Sequence, residues 1–203
     1  MDIKNNTILI IGNGSSVANK EFGAYIDKFE KIARINNYKI HGHEKDIGTK
    51  TDIWINGANS KIIKRKKYPK EVLVLIPSKI LLKKQNVIEK HVSKRLNLNI
   101  NQFQISPINE IIEFENIMYH DRLTTGLYAI LWGLKYFDNV IIHGFDFFID
   151  SKTHYFDSTI KKIISDYIVT KGYKHNNKME QAYVNKMISN KKIKKLEDCY
   201  DEK

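Results

Sequence analysis

Residues 7–16 read TILIIGNGSS, five apolar or β-branched residues that run directly into a glycine turn. A continuous apolar run that stops at glycine is typical of a buried strand. Glycine lets the backbone approach a phosphate or a ribose, and the N–H groups of a following helix stabilise an anion. The run therefore predicts the first strand of a nucleotide-binding α/β domain, with Gly12 and Gly14 in the turn. A structural turn without a ligand is the alternative, because Val17 replaces the third glycine of the dinucleotide fingerprint and no P-loop lysine follows.

Further along the chain, apolar runs alternate with longer helical stretches, the order that gives a parallel sheet with helices on both faces. The predicted strands are Ile53–Ile55, Val72–Ile76 and Val140–His143, and the predicted helices are Lys79–Leu96 and Thr125–Phe137. The expected fold class is α/β, a single Rossmann-like, doubly wound and mostly parallel sheet.

The C-terminal part of the chain carries a different pattern. After about Asp157 no further strand is predicted, and amphipathic patterns indicate helices at Lys161–Ile168 and Lys178–Ile188 on either side of a polar loop, Thr170–Asn177. We expect this part to form a helical lid over the sheet. The charged residues 191–203 are interpreted as a frayed tail, which gives a domain of residues 1–190 followed by that tail.

The composition is that of one folded domain with a strongly basic surface. The chain of 203 residues has 34 Lys and Arg against 23 Asp and Glu, and the net charge of +11 favours anionic partners such as a nucleotide, a nucleic acid or a phospholipid surface. Surplus lysine on a solvated surface is the alternative explanation.

Cysteine content and hydropathy bear on the compartment. Cys199 is the only cysteine, which excludes an intrachain disulfide and favours a reducing interior. No apolar run reaches about 18 residues, and the first residues lack the apolar core of a signal peptide. We expect a cytoplasmic protein, either soluble or peripheral at the inner face of a membrane.

Two further segments carry groups suited to anion binding or proton transfer. A helix that begins at Thr124 or Thr125 offers hydroxyl and free N–H groups to a carboxylate or phosphate, with a simple N-cap as the alternative. His175 precedes Glu180 by five residues, which does not match the i, i+4 histidine pair of a zinc site. We place His175 on a loop and Glu180 in the first turn of a helix. Because histidine titrates near neutrality, His175 is a candidate general base.

Taken in order, these segments resemble the four sialylmotifs of the animal-type sialyltransferases, glycosyltransferase family 29, and the resemblance covers most of the chain. The long motif is similar to Ile8–Ser16, Phe22–Gly23, Ile26–Asp27, Arg34–Asn36 and Ile47–Thr51. The short motif is similar to Thr124–Leu127 with Val140–Phe145, the third to His154–Asp157, and the very small motif to His175–Glu180. The stretch from Arg122 to Asp157 also looks like the bacterial sialyltransferases that modify lipooligosaccharide.

The resemblance implies a site for a CMP-activated sugar donor. It implies that the CMP moiety contacts Asn13, Ser16, Asn36 and Asn56, and that its cytidine or the donor carboxylate lies near Thr125 and Gly126. The expected donor-binding set is completed by Gly12, Gly14, Ser15, Thr124 and Tyr155. His154 would face the phosphate, and His175 would take the proton from the acceptor hydroxyl.

The reaction that the resemblance implies is an inverting transfer of sialic acid from CMP-sialic acid to a hydroxyl group of a glycan or glycolipid, with no cofactor and no metal ion. A CMP leaving group carries one phosphate, which a histidine and a few N–H donors can stabilise. The sequence also has no Asp-x-Asp motif to hold a cation.

Three departures from the family pattern are visible. The cysteine pair that joins the long and short motifs of the animal enzymes is absent, as is their N-terminal membrane anchor, so we expect a bacterial or viral cytosolic enzyme. Phe148 stands where the bacterial relatives carry a phosphate-binding tyrosine. One alternative function is transfer of another CMP-linked acidic sugar, such as CMP-Kdo. The other is a non-catalytic module that binds nucleotides or nucleic acid, although no basic stripe interleaved with aromatic residues supports nucleic acid as a partner.

Overall fold

The computed structural model describes residues 6–146, 154–156 and 177–200. Within these residues, seven strands form one sheet in which every neighbouring pair is parallel. The strands are β1 (Thr7–Ile11), β2 (Lys31–Ile35), β3 (Ile53–Asn56), β4 (Glu71–Val74), β5 (Gln104–Ile105), β6 (Asn139–His143) and β7 (Lys194–Lys195). Their order across the sheet is β5-β4-β3-β2-β1-β6-β7.

Helices follow most of the strands and cover the sheet. In the described residues they are α1 (Gly23–Ile26), α2 (Glu44–Ile47), α3 (Ser78–Lys84), α4 (Ile88–Leu96), α5 (Ile108–Met118), α6 (Thr125–Tyr136), α7 (Asn177–Ser189) and α8 (Leu196–Tyr200). Single 3-10 turns lie at Ser15–Val17 and Ile100–Gln102. None of these helices is long and apolar enough to cross a membrane.

Both faces of the sheet are buried, which explains why its central strands read as continuous apolar runs. Successive side chains of a strand point to opposite faces. Ile8 and Ile10 accordingly join the larger core, which includes residues of α3 to α7. Leu9 and Ile11 join the smaller core on the other face, which is built largely by α1 and α8.

The crevice of this fold lies at the carboxyl end of β1. The chain goes from β1 to β2 on one side and later returns to β6 on the other, and ligands of open α/β sheets bind where the strand order reverses in this way. The backbone is tight here, since Gly12 N–H donates to the His143 carbonyl at 2.7 Å and a side chain on Gly12 would meet the Gly144 carbonyl. Gly144 has φ +71°, and a Cβ there would lie 2.5 Å from Val17 Cγ1. Backbone packing therefore requires glycine at both positions.

The predicted α/β fold with one parallel sheet is confirmed, with differences in individual elements. The predicted helix Lys79–Leu96 is interrupted at residues 85–87, where Asn86 disfavours helix because its side chain competes for backbone hydrogen bonds. The strand predicted at Val72–Ile76 is β4, which ends at Val74. β2 was not predicted, because Lys31 and Arg34 interrupt its apolar pattern.

The prediction of a frayed tail is wrong for residues 191–200. Strand β7 pairs with β6 in register Ile141–Lys194, so strands do continue after Asp157. Ile193, Leu196 and Cys199 are buried at 1%, 0% and 0% exposure. Ile193 packs in the larger core, whereas Leu196 and Cys199 pack in the smaller core on the other face of the sheet. The charged residues between these positions obscure their apolar pattern in the sequence, and the division at residue 190 stays a prediction.

The predicted helix Lys178–Ile188 is confirmed as α7. It packs on the larger core through Val184, which is 1% exposed. The other parts of the expected lid, Lys161–Ile168 and most of Thr170–Asn177, lie outside the described residues.

Candidate active site

The glycine turn after β1 is closed by a carboxylate of the protein itself. Ser16 N–H donates to Asp146 Oδ2 at 3.0 Å, Ser15 Oγ donates to the same oxygen at 3.3 Å, and Ser16 Oγ donates to Asp146 Oδ1. A Cβ on Gly14 would collide with this carboxyl group. The N–H and hydroxyl groups that the sequence suggested for a phosphate are thus used by Asp146.

Two buried asparagines nearby each keep one amide group without a partner. Asn13 donates from Nδ2 to the Ile35 carbonyl at 3.0 Å, but its Oδ1 has no hydrogen-bond partner among the described residues. Asn56 accepts from Ala58 N–H at 3.0 Å, but its Nδ2 has none there either. Such buried atoms cost free energy and point to a ligand or water that completes them. Both asparagines lie at the carboxyl-end edge of the sheet, at the ends of β1 and β3.

Asn36 follows β2 in a left-handed conformation, with φ +48°. Its carbonyl accepts from Trp54 Nε1 at 2.7 Å and from Arg65 Nη2 at 3.1 Å. The Arg65 guanidinium also lies 3.5 Å from the centre of the Tyr38 ring and donates to the Tyr38 carbonyl at 2.9 Å. Desolvation lowers the pKa of Arg65. Arg65 and Trp54 therefore fix the backbone of a residue that lines the main cavity.

That main cavity has a volume of about 500 Å³ and lies near the carboxyl ends of β2, β3 and β4, beside the start of α6. Its polar lining includes Asn36, Asn59, Ser60, Thr124, Thr125 and His91, and its cationic lining comprises Lys84, Arg95 and Arg122. No aspartate or glutamate is present among the described residues that line it. The cavity is therefore suited to an anionic ligand.

The start of α6 is held by a buried carboxylate from α7. Thr124 N–H donates to Glu180 Oε1 at 2.8 Å, and Thr124 Oγ1 donates to Glu180 Oε2 at 2.5 Å while it accepts from Leu127 N–H. Burial raises the pKa of Glu180, and these hydrogen bonds partly offset that rise. The expected place of Glu180 in the first turn of a helix is confirmed, whereas the Thr124 N–H that we expected to be free is occupied.

Thr125 and Gly126 have different environments. Thr125 lines the main cavity, and its Oγ1 lies 3.2 Å from the point that a Cβ on Gly57 would occupy. A Cβ on Gly126 would lie 3.1 Å from Phe145 Cε1, so that glycine permits the helix to pack on the segment after β6.

His154 and Tyr155 lie against the glycine turn. His154 Nδ1 is 3.3 Å from the Asn13 carbonyl, and its ring stacks on Phe156 with centroids 5.1 Å apart. Tyr155 is buried and its hydroxyl donates to the Lys39 carbonyl at 2.6 Å. Burial raises the pKa of Tyr155. The tyrosine thus joins two loops, while the half-buried His154 stands beside the Asn13 backbone.

The structure brings the expected donor-binding residues to one edge of the sheet but distributes them over separate surfaces. Asn36, Thr124 and Thr125 line the main cavity. Ser15 and Ser16 line a second cavity of about 360 Å³ with Asp146, Gln181 and Lys195. Neither cavity is lined by Gly12, Asn13, Gly14, Asn56, Gly126 or Tyr155. His175 lies outside the described residues, so its expected role as a base stays a prediction.

Several residues of this region were not found from the sequence. Ile88, His91, Val92 and Arg95 occupy positions i, i+3, i+4 and i+7 of α4 and all line the main cavity. This spacing marks one helix face, but two of its members are polar, so a search for apolar periodicity misses it. Asp146 and Arg65 act through long-range contacts for which the sequence carries no local signal.

The described part of the chain offers no cluster of metal-binding side chains. No three side chains of His, Cys, Asp or Glu come together there as the ligands of a metal ion would. The expected independence from metal ions stays a prediction.

Comparison with known proteins gives consistent matches. The sequence model of glycosyltransferase family 29 (sialyltransferase) matches residues 4–192. A type 2 lactosamine alpha-2,3-sialyltransferase of Mus musculus is 26% identical over 91% of this chain, and a CMP-N-acetylneuraminate-beta-galactosamide-alpha-2,3-sialyltransferase 4 of Rattus norvegicus is 26% identical over 93%. This chain spans 63% of the length of each of them.

A similar fold is found in a crystal structure of a mammalian sialyltransferase. It has a TM-score of 0.70 and 17% sequence identity, and the match covers 94% of this chain and 68% of that one.

Proposed function

Because the chain belongs to glycosyltransferase family 29, the sialyltransferases, we propose that it transfers sialic acid from CMP-sialic acid to a hydroxyl group of a glycan acceptor. The observation that carries this proposal is the pair of buried atoms, Asn13 Oδ1 and Asn56 Nδ2, that have no hydrogen-bond partner among the described residues. A cytidine with its ribose and phosphate offers both the donors and the acceptors that would complete them. Three residues of the expected donor-binding set, Asn36, Thr124 and Thr125, line the neighbouring main cavity, which has room for the sugar of the donor.

The proposed reaction is an inverting displacement. The acceptor oxygen forms a bond to the anomeric carbon of sialic acid while the bond from that carbon to the phosphate oxygen breaks, and CMP leaves with the electron pair of that bond. The acceptor proton passes to His175 as general base, a contribution of about 10²- to 10⁴-fold in rate. His154, which stands beside the Asn13 backbone, would stabilise the negative charge of the departing phosphate.

The remaining expectations also belong to this proposal. Transfer proceeds without a divalent cation, so it survives treatment with EDTA. The donor is CMP-sialic acid rather than CMP-Kdo. The enzyme is cytoplasmic, and the exposed Lys191, Lys192, Lys194 and Lys195 allow peripheral contact with an anionic membrane that carries a glycolipid acceptor.

A binding and transfer experiment tests the function. Calorimetry should show that CMP binds at least about tenfold more tightly than UMP or AMP, because the amide groups of Asn13 and Asn56 can read the polar edge of a base. CMP-sialic acid, but not CMP-Kdo, should support transfer to lactose or sialyllactose with EDTA present. Preference for AMP, or a requirement for magnesium or manganese, would contradict the proposal.

A variant of Asn56 tests the observation behind it. Asn56→Ala should weaken CMP binding about tenfold, since it removes the buried Nδ2 donor, which has no partner among the described residues. Asn190→Ala, which changes an exposed asparagine at the end of α7, is the matched control and should bind CMP normally. Unchanged CMP binding in a folded Asn56→Ala protein would remove Asn56 from the site.

A further inference from the structure

The main cavity has a wall of positive charge that the donor-binding residues do not explain. This cationic wall consists of the charged Lys84, at the end of α3, and Arg95 on α4, with the His91 imidazole as a further hydrogen-bonding group one turn before Arg95. His91 and Arg95 are exposed, whereas the asparagines at the strand ends, Asn13 and Asn56, are buried. The basic residues of α4 thus form an exposed outer side of the cavity, whereas Asn13 and Asn56 lie buried at the strand ends and do not line it.

Arg95 is held with its guanidinium group over the loop after β3. Its Nη1 donates to the Ala58 carbonyl. Ala58 follows Gly57, and both residues line the main cavity together with Thr125. The other N–H groups of Arg95 have no hydrogen-bond partner among the described residues. An anchored guanidinium with unused donors is well suited to a bidentate contact with a carboxylate or phosphate.

The cationic wall is not neutralised by the described protein. No aspartate or glutamate in the described ranges forms an ion pair with Lys84, His91 or Arg95, and none lines the cavity. Positive groups that share one concave surface raise the local potential and attract an anion. The missing negative charge is therefore expected from a ligand.

We propose that Arg95, with His91 and Lys84, binds a carboxylate or phosphate group of the acceptor, so that the acceptor is an acidic glycan. The donor nucleotide belongs at the strand ends, where α/β sheets bind their ligands and where Asn13 Oδ1 and Asn56 Nδ2 lack a partner among the described residues. The exposed α4 side is open to a second substrate that arrives from solvent. This assignment rests on the proposed sialyl transfer and adds the chemical class of the acceptor.

The test compares two matched acceptors, lactose and 3′-sialyllactose, which differ by one carboxylate-bearing sugar. With CMP-sialic acid as donor, kcat/KM for sialyllactose should exceed that for lactose by about tenfold, the worth of one hydrogen-bonded charge pair. Arg95→Gln keeps an amide donor for the Ala58 carbonyl but removes the charge, and should abolish that preference. Lys94→Gln removes the same charge from an exposed neighbour that does not line the cavity, and should leave the preference intact.

Measurements of donor binding decide whether the bound anionic group belongs to the donor or to the acceptor. Binding of CMP and of CMP-3-fluorosialic acid should be equal in the wild type and in Arg95→Gln. Weaker binding of the fluorinated donor alone, with an unchanged acceptor preference, would show that the wall binds the donor carboxylate and would overturn the acceptor assignment. Equal use of both acceptors by the wild type would also overturn it.

Measurement of acceptor binding distinguishes a failure of this inference from a failure of the proposed function. Sialyllactose binding to the CMP complex, measured by saturation-transfer NMR, should be weakened about tenfold in Arg95→Gln and in His91→Gln, the second variant leaving the Ala58 contact intact. Absence of transfer with any acceptor would overturn sialyl transfer. Sialyllactose binding that is unaffected by both variants would overturn the anion site.

Discussion

At the scale of single residues, the site depends on side chains that hold the backbone of other site residues in place and do not themselves contact a substrate. Arg65 is the clearest case. It comes from the loop between β3 and β4, stacks on Tyr38 and holds the carbonyl of Asn36 together with Trp54. A left-handed asparagine keeps its conformation only if its surroundings favour it. Arg65 is thus a positioning residue for Asn36.

Replacement of Arg65 tests this role. Arg65→Met should raise the Kd for CMP about fivefold or more, and Arg65→Lys should restore little, because lysine lacks the planar fork that reaches two carbonyls at once. Lys66→Met, an exposed neighbour, is the matched control. If Arg65→Met keeps both its thermal stability and the wild-type Kd for CMP, Asn36 does not depend on Arg65.

At the scale of secondary-structure elements, α6 and α7 are joined where the short and very small motifs meet. Glu180 accepts from both the N–H and the hydroxyl of Thr124, the N-cap of α6, and is 2% exposed. The N-terminus of a helix favours a negative charge. The first turn of α6, with Thr125 on the cavity surface, is therefore fixed by a residue more than fifty positions away in the sequence.

Glu180→Ala should lower the free energy of unfolding by about 2 kcal/mol, because it leaves two donors of Thr124 without a partner in a partly buried place. Glu180→Gln should cost less, since its amide oxygen still accepts from the Thr124 N–H. Urea denaturation measures both, and Lys178→Ala, on an exposed position of α7, provides the control. An alanine variant as stable as the wild type would show that this contact contributes nothing to stability.

At the scale of the whole molecule, the C-terminal segment closes one side of the sheet. Strand β7 pairs with β6, and α8 covers the smaller core with Leu196 and Cys199. His143, at the end of β6, lies 3.0 Å from Glu197 through its Nδ1 and is almost wholly buried. The carbonyl of the same residue accepts from Gly12 N–H in the glycine turn. Helix α8 is thereby connected to the crevice.

The pair His143–Glu197 should make stability depend on pH. Burial alone would raise the pKa of Glu197, but the hydrogen bond and charge interaction with His143 hold this pKa below its ordinary value of 4.5. A lowered carboxyl pKa contributes stability that is present above 4.5 and is lost as the pH falls through the folded-state pKa. We expect the free energy of unfolding to fall less steeply below pH 4.5 in Glu197→Gln than in the wild type.

Urea denaturation from pH 6 to pH 3 measures this difference, which cannot exceed about 1.4 kcal/mol per pH unit for one proton. Asp198→Asn, an exposed neighbour in α8, should keep the wild-type slope. Identical slopes in Glu197→Gln and the wild type would show that the pair does not contribute to acid stability.

The sequence by itself determined the α/β class, the strand β1, the glycine turn and the family motifs, because each rests on a local pattern of apolar residues or on a short run of characteristic residues. Only the tertiary structure decided how those pieces are used. Asp146 occupies the N–H and hydroxyl groups of the glycine turn, and Glu180 occupies the N–H of Thr124. Both contacts join residues far apart in the chain, where spacing carries no information.

The same reason explains the other corrections. Residues 193–199 read as charged tail, since their three apolar positions are separated by polar residues and acquire meaning only when β7 pairs with β6. His91 and Arg95 read as a solvated helix face until the fold places them on a cavity. Local patterns specify elements, whereas the environment of a polar side chain depends on which elements the sheet order brings beside it.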